Sequence, residues 1–175
     1  MTQWERLRTQ TDAFFRSHPQ SPLTSAQQRT FRGLHYFPEN AALRFELTVE
    51  PFPSQNEIAM HTSTGDERTY TRYVRFKFTV DGHAAALTIY ADAHGFFLPV
   101  VDALAGTETY GAGRYLEPQQ GEDGRLLIDF NLAYNPYCAY NDAWSCHAHH
   151  GKTDCGCRSA LGKSCFPMTS CNACV

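Results

Sequence analysis

The chain has 175 residues, 15 basic and 18 acidic side chains, and a formal charge of −3. That length fits one ordinary domain with a core of its own, and the near-neutral balance offers no basic footprint for nucleic acid or an anionic membrane surface. No apolar run approaches the roughly 18 residues that span a bilayer, and the opening MTQWERLRTQTDAFF has neither the apolar stretch nor the cleavage site of a secretory signal, so a soluble, cytoplasmic protein is expected.

Residues 3–16 predict a helix, with Trp4, Leu7, Thr11, Phe14 and Phe15 at i, i+3, i+4, i+7 spacing and His18-Pro19 as the stop. Thr24 and Gln27 have the spacing of a capping box for a short second helix. From Ala42 the period changes to two. LRFELTVE (43–50) alternates apolar and polar residues, and YVRFKFTV (73–80) repeats the pattern. Asp81-Gly82 then reads as a hairpin turn into HAAALTIYA. GFFLPVV, TYGAGRYLE and RLLIDFNLAY predict further strands, with GEDG as the turn before the last. The fold class is mainly β, a β-rich α+β domain with N-terminal helices. Its antiparallel strands fit a curled sheet, a half-open barrel or a sandwich equally well.

Two segments interrupt the alternation and concentrate polar groups. In GTETYGAGRYLE, residues 106–117, three glycines lie among Glu108, Tyr110 and Arg114. In DFNLAYNPYCAYN, residues 129–141, Asp129, Asn131 and Asn135 alternate with tyrosines, including Tyr134, ahead of Cys138. These eight residues are the candidate ligand-binding set. In one reading the planar fork of Arg114 receives a small polar or anionic ligand, and tyrosine hydroxyls and asparagine amides add hydrogen bonds. In the other, Arg114 pairs with Asp129 or Glu108 and the Asn and Tyr groups tie down a loop. An enzyme using the same cluster, hydrolase-like, would take Cys138 or Glu108 as its reactive group. A nucleophilic Cys138 needs a base in reach, for which His83 and His94 are the nearest candidates along the β-rich domain. The catalytic residues, if any, and the oligomeric state are not legible, and no cofactor motif is present.

TETYGAGRYLE followed by DFNLAYNPYCAYN resembles a bacterial family known as domain of unknown function 1684, and SPLT, the Phe31–Phe37 segment and the Asp102 segment follow its pattern too. The resemblance runs with gaps from about residue 4 to Cys146. It implies a single small β-rich domain and supplies no catalytic residues. After a second cysteine the resembling family continues roughly as CPxPPxENxLxVPIxAGE.

Here Cys146 is in place, but the chain continues as CHAHHGKTDCGC, with three Cys and three His in twelve residues. Codons for His147 onward, read after restoring one C, permit PRPPRENRLRVPIRAGEK. We therefore read 1–146 as one β-rich domain and 147–175 as a frameshifted tail with little regular structure. A zinc-binding tail is the rival reading. It has one good ligand pair, Cys171-x₂-Cys174, without the accompanying aromatic and aliphatic residues that would make a small core around a metal, so no metal site is assigned. Loss of a final strand would leave a sheet edge and a patch of core uncovered. A frame-restored chain is therefore expected to melt at a higher temperature than this one, and equal melting temperatures would contradict the reading.

Overall fold

The computed structural model describes residues 3–62, 65–80 and 82–146; the Cys/His-rich tail and the Asp81 half of the expected hairpin turn lie outside the described residues. Helix α1 (Gln3–Ser17) and the short α2 (Ser25–Thr30) come first. The capping box is present as expected: Thr24 Oγ1 accepts the Gln27 N–H at 3.3 Å, and Gln27 Oε1 accepts the Thr24 N–H at 2.7 Å.

Among the described residues eight strands follow: β1 (Arg44–Leu47), β2 (Glu57–His61), β3 (Glu67–Val80), β4 (His83–Asp92), β5 (Gly95–Val100), β6 (Arg114–Leu116), β7 (Gln119–Gln120) and β8 (Leu126–Asp129). They form two antiparallel sheets, β2-β3-β4-β5-β6 and β1-β8-β7. The main core takes Val74, Phe76, Phe78, Leu87, Ile89, Leu98 and Val100 from the first sheet and Leu126, Ile128 and the adjoining Phe130 from the second. The two inner faces thus supply one another's apolar surface, each large side chain contributing about 1.5–3 kcal/mol relative to exposure.

Where the elements depart from expectation, the cause is local. The alternation at 43–50 yields only four residues of strand, because Leu43 belongs to a 3₁₀ turn (Ala41–Leu43) capped by Asn40. The glycine-rich segment contributes only Arg114–Leu116 as strand. Residues 126–134 leave the ladder at Asp129, whose side chain caps a second 3₁₀ turn, Phe130–Leu132.

β3 begins six residues before its clean alternation, and the register explains why. Arg72 pairs with Tyr90 and Val74 pairs with Ile89, so Tyr73 is an extra residue in the ladder. Such a bulge reverses the faces of everything before it. Val74, Phe76 and Phe78 face the main core, whereas Tyr70 turns to the opposite face with Tyr90. Phe97 pairs with Tyr90, and Tyr115 pairs with Pro99, which puts both on that same outer face. The result is a second cluster of Met60, Tyr70, Tyr90, Phe97 and Tyr115. A third cluster docks the helices: Phe15, Leu23 and Phe31 pack with Tyr140, the Phe15 and Tyr140 rings meeting edge-on at 5.0 Å. No helix among the described residues is long and apolar enough to cross a membrane.

Candidate functional site

The outer aromatic face is the floor of a groove of about 1040 Å³. Tyr70 and Phe97 stack at 5.3 Å, Tyr115 meets Phe97 edge-on at 4.9 Å, and Tyr134 meets Tyr115 perpendicularly at 6.0 Å. Tyr134 reaches this position because Tyr115 and Tyr134 exchange backbone hydrogen bonds, each N–H donating to the other's carbonyl at 2.9 Å. The far wall is α1, which contributes Trp4, Leu7, Thr11 and Phe14. Among the described side chains of α1 only Phe15, near the helix's end, is buried, and Leu7 remains 41% exposed. The apolar stripe of α1 is therefore directed at the groove and only partly covered.

Polar groups stand at its margins. The Tyr134 hydroxyl donates to Glu117 at 2.7 Å. Burial, reinforced by that carboxylate, raises the Tyr134 pKa well above the usual phenol value, and burial does the same at Tyr115. Both hydroxyls stay protonated across the ordinary pH range. Arg68 and Asp92 lie on the floor's outer edge. Arg8, from α1, donates to the Phe37 carbonyl at 2.9 Å and lies over the Tyr36 ring at 4.9 Å.

Three of the eight sequence candidates line this groove: Asn131, Tyr134 and Asn135. Asn131 also bridges two segments, its Oδ1 accepting the Asn40 N–H at 2.8 Å and its Nδ2 donating to the Asn40 carbonyl at 3.0 Å. Asn135 is buried and hydrogen-bonds the Tyr140 hydroxyl. Asp129 is buried beneath, accepting from the Asn131 backbone at 3.0 Å and its amide at 2.8 Å, with Arg44 at 3.8 Å.

Arg114 lies elsewhere. It is 1% exposed and paired with Asp102, not with Asp129 or Glu108. The register requires this meeting: Arg114 stands opposite Val100 on the inner face, and Asp102 follows Val100 by two residues. Asp102 also accepts from the Thr109 hydroxyl at 2.7 Å and the Leu104 N–H at 3.0 Å. The carboxylate thus holds the loop that leads into β6. In that loop the Leu104 carbonyl gathers the N–H groups of Thr107, Glu108 and Thr109, and Gly106 and Gly113 take φ of 81° and 88°. Glu108 is exposed on its surface.

Cys138, half-buried, sits beside Cys146, which is buried and lines the groove. The Cys138 N–H donates to Cys146 Sγ at 3.0 Å, and the Tyr110 hydroxyl hydrogen-bonds Cys138. The hydrogen bond with Cys146, then burial, pushes the Cys138 thiol up, while the same bond and the N–H groups of Cys138 and Tyr137 hold Cys146 below the usual thiol range. Beside a Cys146 thiolate, Cys138 is thus held in the thiol form. Among the described residues, no group of three or more His, Cys, Asp or Glu side chains is arranged to hold a metal ion.

No curated protein matches the chain. Its structure is similar to the solution NMR structure of an uncharacterized protein of Haloarcula marismortui, with 31% identity over 93% of this chain and 92% of that one, and a TM-score of 0.67. The model of a family described as protein of unknown function, DUF1684, matches residues 29–151. The chain belongs to that family.

Proposed function

We propose that the domain binds a small molecule in the groove, its apolar or aromatic part on Tyr70, Phe97, Tyr115 and Tyr134 and its polar or anionic end toward Arg8 or Arg68. The observation that carries this reading is the groove itself: an aromatic floor, an α1 stripe left partly uncovered, and a few polar groups at the margins, the composition typical of small-molecule sites. The arginines of this reading differ from the one singled out by sequence. Arg114 is committed to Asp102 inside the domain, whereas Arg8 and Arg68 border the cavity.

A thermal-shift screen of small aromatic carboxylates, aliphatic carboxylates and phosphate esters tests the proposal. The expected result is a shift with an aromatic carboxylate that Tyr134→Ala weakens by about tenfold in apparent affinity, the equivalent of roughly 1.4 kcal/mol. A shift that survives both Tyr134→Ala and Arg68→Ala would place binding elsewhere, and a screen without any shift would contradict the ligand class.

A further inference from the structure

We propose that Cys146 and Cys138 act as a thiol pair that reduces a small disulfide entering through the groove, cycling between two thiols and an internal disulfide. Three geometric facts support this. The two cysteines hydrogen-bond each other, and the Cys146 sulfur lies 3.0 Å from the Cys138 backbone nitrogen. Cys146, though only 6% exposed, is one of the residues lining the groove. Cys138, the more exposed of the two, hydrogen-bonds Tyr110. Because the Cys138 N–H donates to the Cys146 sulfur, Cys146 is assigned as the attacking sulfur and Cys138 as the resolving one.

The chemistry follows from that order. Cys146, as thiolate, attacks one sulfur of the entering R–S–S–R; the S–S bond breaks, RS⁻ departs and takes up a proton, and a mixed disulfide forms on Cys146. The Cys146 sulfur is then no longer the thiolate partner whose hydrogen bond, ahead of burial and its charge, kept Cys138 protonated. Cys138 gives up its proton and attacks the Cys146 sulfur, expelling the second RS⁻, which is protonated in turn. The sum is one small disulfide reduced by two electrons to two thiols, and the protein's two thiols oxidised to one disulfide. Excess thiol reverses both steps. Backbone N–H donation from Tyr137 and Cys138 favours the Cys146 anion from which the first step starts.

Glutathione disulfide, added to the full chain, is the probe. Both cysteines fall in one tryptic peptide, Leu126–Lys152, and five further cysteines in the tail, Cys155 to Cys174, serve as internal comparison. The expected result is loss of two hydrogens from that peptide in the wild type, a stable glutathione adduct on Cys146 in Cys138→Ser, and no adduct on Cys138 in Cys146→Ser. The proposal is overturned if wild-type Cys138 and Cys146 carry separate adducts or bridge to the tail. It is overturned equally if Cys146 in Cys138→Ser reacts no faster than the tail cysteines. Because peptide mapping reads the cysteines alone, the outcome is independent of which ligand occupies the groove.

Discussion

Asp102→Ala and Arg114→Met, each made alone, are expected to destabilise the domain by about 3–5 kcal/mol, because each leaves an uncompensated charge in the interior. Both side chains are essentially inaccessible, at 0% and 1%. In Arg114→Met the carboxylate retains Thr109 and the Leu104 N–H, so this variant falls at the lower end of the range. Asp102→Ala loses those loop contacts as well and strands the guanidinium, so it falls at the upper end. A double replacement, Asp102→Leu with Arg114→Met, removes both charges and is expected to recover most of the loss. Urea denaturation of the three variants measures this directly. Single costs below about 1 kcal/mol, the ordinary worth of an exposed pair, would mean that solvent reaches the guanidinium, and Arg114 would return as a ligand-binding group.

Phe130→Ala is expected to cost about 3–5 kcal/mol, the range for deleting a fully buried aromatic ring. Phe130 is 0% exposed, and its ring lies 5.4 Å from Phe78, 6.0 Å from Phe45 and 6.4 Å from Phe76. It holds together the inner faces of both sheets. It also anchors the segment that carries Asn131, Tyr134 and Asn135 to the groove, so ligand-induced shifts should weaken along with stability. Leu7→Ala offers the contrast: with 41% of its surface exposed, it should change stability by no more than about 0.5 kcal/mol. Equal losses in the two variants would contradict the assignment of the core.

The helices, their capping box and most strands were legible because each is a local matter of period and cap chemistry. β2 was not, since Glu57–His61 contributes one buried side chain, Met60, and leaves little alternation to read. The N-terminal half of β3 was hidden by the bulge at Tyr73, which breaks the period at the point where the strand changes faces. The groove depends on that bulge, so its floor was equally hidden: Tyr70, Phe97 and Tyr115 come from three strands and meet only through register. Tyr134, Asn131 and Asn135, which line the groove, stand out in the sequence because they crowd into one segment. Arg114 was marked as important by its setting among glycines, but its partner is twelve residues upstream and could be named only once Val100 was known to stand opposite Arg114. The Cys146 sulfur acquires its character from the Cys138 side chain and then from the backbone N–H groups of Cys138 and Tyr137, and spacing alone does not reveal these.

The proposed ligand surface is the outer face reversed by Tyr73, and not the glycine-rich loop. Backbone amide chemical-shift mapping, with the compound that gives the largest thermal shift, separates the two. The expected result is perturbations concentrated at Phe97, Tyr115, Tyr134 and Asn135 and on the α1 residues facing them, with the Asp102–Gly113 loop unmoved. Perturbations confined to Glu108, Tyr110 and Arg114, with the groove residues unchanged, would contradict it.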